Sequence, residues 1–341
     1  MAVLKKLGNL NETDRRTRQE ANYDVEFGGV KYLLKLTTQG VETGERGIVT
    51  ITNPKKIFKT LAELGLREKL FEPWKELTKI HQGLLVVSGP PAGGFSTLWG
   101  VVLRECDRYL RDFVSIEDIN KREPDAENVT INTFDSKAGE SPLNLLPDLI
   151  RRYPNVYVLP DVINADVFDV LYDQIQSEHL VISGMRAREN AEALLRLLML
   201  KIPAQQIAEP LLGAMNVRLV RKLCDKCKEG YAPAPELLKK LGLPAAQVPQ
   251  LFRIRTPDPE KKQIPCEQCK DIGYFGRTGI IEVLIAGDNV KKALTTTPQL
   301  DAVRTACRKD GMRTLQEEGI LLVAKGVTSL DELMRVMKPP A

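Results

Sequence analysis

The sequence has no apolar run long enough to cross a membrane and no apolar core of the kind that marks a signal peptide. Its longest apolar runs, such as "GLLVV" and "GILLVA", are far shorter than the roughly 20 residues that a membrane helix needs. A long basic run is also missing, because 49 basic and 45 acidic residues are mixed along the chain and leave a net charge of +4. These absences predict a cytoplasmic protein that does not bind nucleic acid.

Internal repeats and low-complexity tracts are absent as well. The chain nevertheless has 341 residues, of which 43% are hydrophobic and 28% are charged. At this length a single hydrophobic core usually gives way to two or more. We therefore expect a multi-domain protein.

Six cysteines are distributed unevenly along the chain. Cys106 and Cys307 stand alone on apolar helical faces and are predicted core residues. The other four form two C-x-x-C pairs, Cys224 with Cys227 and Cys266 with Cys269. Because the sequence shows no export signal, metal binding is favoured over disulfides, and four thiolates at this spacing are the ligand set of a closed structural zinc site. The alternative is four free or redox-active cysteines.

The remaining pattern predicts the order of helices and strands. Short β-rich segments separated by glycines indicate a small meander at residues 23–52. Residues 53–82 have the apolar spacing of helices, and we expect two helices with a break at Gly65. From residue 84 to about 200, short apolar strands alternate with helical segments, which predicts a largely parallel sheet covered on both faces. Beyond Ile285 the pattern is helical, with a capping box at Ser329 and Glu332 and a helix end at Gly326.

The stretch "LLVVSGPPAGGFSTLWG", residues 84–100, has the order of strand, glycine-rich turn and helix that phosphate-binding loops require. In the pattern G-x-x-x-x-G-K-[ST], backbone amides cradle phosphates, the lysine neutralises them and the hydroxyl holds magnesium. The candidate nucleotide-binding positions in this stretch are Gly89, Gly93, Gly94, Phe95, Ser96 and Thr97. Phe95 replaces the lysine, Pro91 removes an amide donor, and Ala92 lacks the freedom of glycine at positive φ. The helix is predicted to run from Ser96 to about Leu110. The alternative to a phosphate site is an ordinary strand, turn and helix in which the glycines serve tight packing.

Further motifs follow this loop in order along the chain. They are "FVSIEDINKRE", "RRYPNVYVLPDVINAD", "EHLVISGMRARENAEALLRLL", "LCDKCKEGY", "PCEQCKDIGYFGRTGIIEVL" and "GMRTLQEEGILLVAKGVTSLDELMRVMK". With them, nearly the whole chain resembles the type II secretion and type IV pilus assembly ATPases. The resemblance implies an α/β fold with a P-loop, RecA-like parallel-sheet core. It assigns residues 1–52 to a partial α+β N-terminal module whose first half is absent, 53–223 to the core, 224–283 to a tetracysteine zinc element and 284–341 to a helical C-terminal subdomain.

The resemblance also implies roles for individual residues. Glu117 and Asp118 match an acidic pair that positions water and magnesium, and the alternative is an exposed acidic turn. Asp161 lies where the family has a catalytic glutamate, and its shorter side chain puts its reach in doubt. His179 keeps the first histidine of the family's histidine motif, whereas Arg186 replaces the second. Arg186 either places a positive charge near the phosphates or is a solvated surface residue.

Lysine, glutamate and histidine are thus replaced at three matched positions, and catalysis of phosphoryl transfer depends on the placement of charge. The sequence therefore predicts a hydrolysis-deficient subunit of a secretion or pilus machine, with structural zinc and weakened binding of ATP and magnesium. The alternatives are an active motor with atypical catalytic residues and a scaffold that binds no nucleotide. By resemblance we expect a homo- or hetero-hexamer, peripheral to the inner membrane on the cytoplasmic side. Its expected partners are machine components at that membrane and an active paralogous ATPase.

Overall fold

The computed structural model describes residues 1–53, 58–162, 164–244, 246, 248–256 and 265–338. Contacts between residues divide the chain into two compact units, Met1–Lys59 and Thr60–Ala341. The first unit contains the residues expected to form an N-terminal module, and the second contains all of the candidate site residues.

The first unit consists of one helix and a three-stranded antiparallel sheet. Helix α1 (Ala2–Leu7) precedes β1 (Gln19–Phe27), β2 (Val30–Val41) and β3 (Gly44–Thr52), which pair in chain order. Gly28 and Gly29 both have positive φ, as a two-residue hairpin turn between β1 and β2 requires. Lys5 of α1 is fully buried in an ion pair with Glu45, which ties the helix to the sheet. The predicted meander is confirmed.

The segment that follows contains one α-helix in its described part, α2 (Phe71–Lys79), rather than the expected two. Leu61 and Leu64 are buried, but both lie in turns. The carbonyl oxygen of Leu64 accepts a hydrogen bond from the Gly279 amide at 3.1 Å, and Gly65 follows with a φ of 99°. The apolar spacing of this segment therefore reflects packing against a neighbouring strand. The first predicted helix is wrong for residues 58–65, and residues 54–57 lie outside the described part.

The second unit is built around a seven-stranded sheet. Its elements in chain order are β4 (Gly83–Ser88), α3 (Phe95–Glu105), β5 (Phe113–Asp118), β6 (Val129–Phe134), α4 (Pro142–Arg151), β7 (Val156–Leu159), α5 (Ala165–Gln176), β8 (Leu180–Met185), α6 (Asn190–Met199), α7 (Ala204–Ala208), β9 (Leu211–Leu223), β10 (Glu229–Tyr231), α8 (Pro235–Leu241), β11 (Leu251–Arg253) and β12 (Tyr274–Ile285). The strand order is β6-β5-β7-β8-β4-β9-β12, in which the first six are parallel and β12 is antiparallel. β10 and β11 form a separate two-stranded ribbon. The expected α/β fold with a largely parallel sheet is confirmed.

Both faces of the large sheet are covered by helices. Leu84 and Val86 of β4 belong to a buried cluster with α4, α5 and α6, whereas Leu85 and Val87 belong to a second cluster with α2 and α3. A strand buried on both faces reads as a continuous apolar run, which explains the sequence of β4. Helix α3 ends at Glu105, earlier than predicted, because the chain turns at Cys106 to begin the connection to β5.

The C-terminal part is helical, as expected, with α9 (Asp288–Thr296), α10 (Leu300–Lys309), α11 (Leu315–Ala324) and α12 (Leu330–Met337). Gly326 follows α11 with a φ of 65°, and the Ser329 hydroxyl caps α12 by accepting from the Glu332 amide. The Glu332 carboxylate pairs with Arg221 and Arg335 instead of completing the capping box. Among the described residues no helix combines the length and the apolar character that crossing a bilayer demands.

A buried carboxylate joins these helices to the sheet. Glu282 of β12 accepts hydrogen bonds from the amide of Asn190, at the start of α6, and from the amide of Leu315, at the start of α11, at 2.7 and 3.0 Å. Two first-turn amides that lack intrahelical acceptors are thereby satisfied. Burial nevertheless raises the pKa of Glu282 to about 7, because these hydrogen bonds offset only part of the cost of removing a charge from water.

The titration of Glu282 predicts a pH-dependent stability. Since its pKa is higher in the folded chain than in the unfolded chain, the stabilisation from proton uptake is complete below about pH 4.5 and is lost as the pH rises through about 7. Glu282→Gln removes this titration. We expect the free energy of unfolding of the unsubstituted chain to fall by up to about 3 kcal/mol relative to the variant over this range. Urea unfolding of both proteins between pH 4.5 and 8 measures the difference, and parallel pH profiles would contradict the assignment.

Candidate functional site

The phosphate-loop sequence lies between β4 and α3, at the carboxyl edge of the parallel sheet. Gly94 precedes α3 with a φ of 101°, and an added Cβ at Gly93 would lie 2.8 Å from the carbonyl oxygen of Pro90. Ala92 adopts a φ of 57° although it is not glycine. A left-handed alanine costs roughly 1–2 kcal/mol, so surrounding contacts hold the loop in this shape. The strand, turn and helix predicted from the sequence are therefore present.

Part of the backbone cradle is used within the protein. Pro90 and Pro91 have no amide hydrogen, the Gly89 amide donates to the Met185 carbonyl at 3.3 Å, and the Gly93 amide donates to the Pro90 carbonyl at 2.9 Å. The first-turn amides of α3 include those of Ser96 and Thr97, whose side chains are exposed. They lack intrahelical acceptors, as at the start of any α-helix, so the positive end of α3 remains available to an anion.

Phe95 fills the lysine position with a buried ring. Its side chain is 2% exposed and stacks on Trp99 with ring centroids 5.6 Å apart and planes inclined by 23°. Its Cζ atom would lie 2.9 Å from a Cβ added to Gly184 of β8, and the same Cβ would clash with the carbonyl oxygen of Pro160. Only glycine fits at position 184 beside this ring and this strand end. Phe95 and Gly184 are therefore sterically complementary.

The guanidinium of Arg186 stacks on the face of the Phe95 ring. Its guanidinium carbon lies 3.9 Å from the ring centroid, and the guanidinium also pairs with the buried carboxylate of Glu123. A cation over an aromatic face contributes about 0.5–2 kcal/mol. With 42% of its side chain exposed, Arg186 is not a fully solvated surface residue, because Phe95 and Glu123 both contact it.

Glu117 and Asp118 lie at the carboxyl end of β5, the neighbourhood the resemblance implies. Glu117 is buried, and its carboxylate accepts from the Ser115 hydroxyl at 2.6 Å and from the Glu123 amide at 3.2 Å. The alternative of an exposed acidic turn is therefore wrong for Glu117. Its hydrogen bond to the Glu123 backbone supports the residue that holds Arg186, so Glu117 acts structurally in this conformation.

The carboxylate of Asp118 ties two loops together. It accepts hydrogen bonds from the amide and side chain of Asn120 at 3.0 and 2.9 Å and from the Ser136 hydroxyl at 2.6 Å. Partial burial alone would raise its pKa, but these hydrogen bonds outweigh burial and lower the pKa of Asp118 to about 2. Asp118 therefore stays ionised at neutral pH with several of its acceptor sites in use.

Asp161 and His179 occupy opposite edges of the sheet. Asp161 is exposed and follows Pro160 at the carboxyl edge. Partial desolvation by the surrounding protein raises the pKa of its carboxyl group, and the positive charges of Lys121 and Arg186 partly offset this effect. His179 precedes β8 at the amino edge, buried against the ring of Tyr153, and burial lowers its pKa. The fold brings Asp161 to the edge that carries the phosphate loop and keeps His179 away from it.

The four paired cysteines form a second site. Their sulfur atoms all lie within 4.8 Å of one another, with Cys224 and Cys266 at 3.8 Å and Cys227 and Cys269 at 3.4 Å. Zinc bonds of about 2.3 Å in tetrahedral geometry place sulfurs roughly 3.8 Å apart, so the four thiols are positioned to bind a metal. Amides of Cys269 and Gln268 donate to Cys266 and lower the pKa of that thiol, whereas burial raises the pKa of the Cys224 and Cys227 thiols, so a bound cation would be needed to hold all four as thiolates.

Local backbone geometry places these sulfurs. The first pair follows β9, where amides of Cys227 and Lys228 donate to the Cys224 carbonyl; the second precedes β12, where the Cys266 amide donates to the Asp271 carboxylate at 2.9 Å. Lys270 and Asp271 have φ values of 52° and 66°, which reverse the chain tightly. Cys106 and Cys307 are buried elsewhere, as predicted for core residues.

Sequence reasoning missed the residues that close the phosphate loop. Glu123 gave no signal, because an acid in a charged loop is usually solvated. The steric relation between Gly184 and Phe95 gave no signal either, because it depends on the packing of β8 against α3.

Comparisons with known proteins agree with this architecture. A family model described as "Type II/IV secretion system protein" matches residues 1–335. The type IV pilus assembly ATPase PilB of Thermus thermophilus is 26% identical over 334 residues, covering 98% of this chain and 37% of PilB. The type II secretion system protein E of Aeromonas hydrophila is 25% identical over 335 residues, covering 98% of this chain and 64% of that protein.

Solved structures show the same fold. The ATPase DotB of Legionella pneumophila superimposes with a TM-score of 0.59 at 14% identity, covering 94% of this chain and 77% of DotB. The pilus retraction motor PilT with bound ADP gives 0.57 at 15% identity, with 94% and 78% covered. This chain thus spans between about a third and two thirds of the two sequence relatives and most of each structural relative. Because the family model matches almost the entire chain, the chain belongs to the type II/IV secretion system protein family.

Proposed function

We propose that this chain is a hydrolysis-deficient member of the family and acts as a regulatory or structural subunit of a type II secretion or type IV pilus assembly machine. The observation that carries this proposal is the buried ring of Phe95 beneath Arg186, at the position of the phosphate-binding lysine. An ammonium about 4 Å from a phosphate charge contributes roughly 4 kcal/mol at an effective dielectric of about 20. An apolar ring supplies none of this interaction.

The neighbouring acids support the same proposal. The carboxylate oxygens of Glu117 and Asp118 accept hydrogen bonds from other groups of the protein, and Asp161 has a shorter side chain than glutamate. Positioning of water and magnesium needs carboxylates with free oxygens at defined points. Without the lysine as well, the transition state for phosphoryl transfer has few partners in this site.

A scaffold that binds no nucleotide is a second candidate. It is favoured by the amides of Gly89 and Gly93, which donate to protein carbonyls, and by the two prolines of the loop. The positive end of α3 favours the first candidate, since it still attracts an anion. A measurement of ATP binding separates the two candidates, because only the first is expected to bind ATP.

The place of the subunit is proposed from the family. Relatives carry the names of pilus assembly ATPases and secretion system proteins. We place this chain in the cytoplasm at the inner membrane, within a homo- or hetero-hexamer beside machine components and an active paralogous ATPase. The even mixture of charges favours protein partners over nucleic acid.

Restoring the lysine tests the site. The unsubstituted chain is expected to hydrolyse ATP with magnesium at a negligible rate in a phosphate-release assay. Phe95→Lys is expected to tighten ATP binding, and Arg186 is kept because its removal would leave the buried Glu123 carboxylate unpaired. The upper limit of the gain is about a thousandfold, because the added ammonium contributes at most roughly 4 kcal/mol. Calorimetric titration with ATP and magnesium measures it.

The matched control is Phe275→Lys, which adds the same charge at an exposed phenylalanine of β12. It should leave ATP binding unchanged. Turnover by the unsubstituted chain at the rate of an active relative would overturn the proposal. Absence of any gain in Phe95→Lys would mean that the loop backbone no longer cradles phosphate, and the scaffold candidate would replace the first.

We propose that the metal of the tetracysteine site is zinc and that its role is structural. Four thiolates leave no open coordination position for a substrate, and the site joins the end of β9 to the start of β12. Bound zinc would hold the two C-x-x-C turns together and neutralise thiolates that otherwise repel one another.

Elemental analysis tests this assignment. Protein expressed with zinc should contain about one zinc per chain, and Cys266→Ser with Cys269→Ser should lose it and unfold at a lower temperature because two ligands are missing. Cys307→Ser is the control for the metal content, since Cys307 is buried in α10 away from the site. Zinc near zero in metal-replete protein would refute the assignment.

A further inference from the structure

A cavity of about 610 Å³ lies beside the C-terminal helices, apart from both sites described above. We call it the arginine cavity. Its walls come from the segment before α6, from β9 and β12, and from α10. The start of α11 and the end of α12 complete them. Its charged lining residues are Arg188, Glu189, Arg218, Glu282, Asp301, Arg304, Arg308 and Lys338. The volume is within the range of about 300–1,000 Å³ that small-molecule sites occupy.

Half of the charged residues in this lining form ion pairs. Arg304 donates to both oxygens of Glu189 at 2.9 and 3.0 Å and also pairs with Asp301 at 2.9 Å. Arg308 pairs with Glu317 at 3.1 Å. The carboxylates of Glu189 and Asp301 are therefore already engaged by a cation.

Three cations of the lining have no such partner. Within the described part of the chain, Arg188, Arg218 and Lys338 form no ion pair. Arg218 is half-buried, and its guanidinium donates to the carbonyls of Arg188 and Val336 at 3.1 and 2.9 Å. Burial lowers the pKa of Arg218, and the charges of the nearby carboxylates Glu189 and Glu282 offset only part of this effect. The one further acid in the lining, Glu282, accepts two backbone amides and is fully buried.

We propose that the arginine cavity binds the phosphate group of a small anionic molecule, with Arg188 and Arg218 as its principal contacts. A partly desolvated cation that forms no ion pair is costly, and an oxyanion seated against it lowers that cost. The planar donor forks of arginine match the oxygens of phosphate, and the third cation, Lys338, favours a ligand with more than one negative charge.

Inorganic pyrophosphate is the probe for this site. Calorimetric titration of the full chain at about 50 mM salt, a concentration at which charge interactions are only moderately screened, should give one binding site. Arg188→Gln and Arg218→Gln should each weaken binding about tenfold, as the loss of one charge-assisted contact does. Lys239→Gln is the matched control, since Lys239 is an exposed cation outside the cavity, and it should change the affinity less than about twofold.

Arg188→Gln decides the outcome, because its side chain supports no part of the fold in the way that Arg218 does. Arg218→Lys keeps the charge and should restore part of the affinity lost in Arg218→Gln. Pyrophosphate bound at the phosphate loop would be insensitive to Arg188→Gln, and that result would overturn the proposal, as would no binding at all. Citrate replaces pyrophosphate in a parallel titration, and equal or tighter binding of citrate would assign the cavity to carboxylates instead.

Discussion

The stack of Arg186 on Phe95 determines the chemistry of the phosphate loop. A buried ring at the start of α3 requires a neighbour without a side chain on β8, which Gly184 provides, and a cover, which Arg186 provides. Arg186 in turn needs a counter-charge, and Glu123 supplies it from a loop that Glu117 supports. These side chains thus form one connected packing unit. The loop keeps the shape of a strand, glycine turn and helix because that shape depends on β4 and α3, while Arg186 and Glu123 pair with each other within the protein.

Two other polar arrangements hold the rest of the second unit. The Glu282 carboxylate satisfies first-turn amides of α6 and α11, so one buried acid fixes both helices to the edge strand β12. At the far end of β9 and β12, the four thiols converge within metal-binding distance. Both arrangements join segments that are distant in sequence, one through a buried carboxylate and the other through four converging thiols. The arginine cavity lies between the same helices, so its ligand would contact elements that Glu282 orients.

Much of the fold was accessible from the sequence because local rules and burial agree there. The continuous apolar run of β4, the alternation of short strands and helices, and the helical C-terminal region all carry periodic signals that their burial reproduces. The expected helix at residues 58–65 failed because the buried spacing of Leu61 and Leu64 arises from packing against β12 and not from helical periodicity. Likewise, the capping box at Ser329 forms only in half, since Arg221 and Arg335 compete for the Glu332 carboxylate.

The sequence by itself determined the strand, glycine turn and helix of the phosphate loop, the absence of its lysine, and the thiol set of the metal site. Each of these depends on residues close together in the chain, whose spacing restricts the geometry directly. The tertiary structure alone decided that Arg186 stacks on Phe95, that oxygens of Glu117 and Asp118 accept hydrogen bonds within the protein, and that His179 lies at the amino edge of the sheet. These outcomes depend on contacts between β5, β8 and α3, and on the edge of the sheet at which each strand ends. Such contacts form between residues far apart in the chain, so no local spacing encodes them.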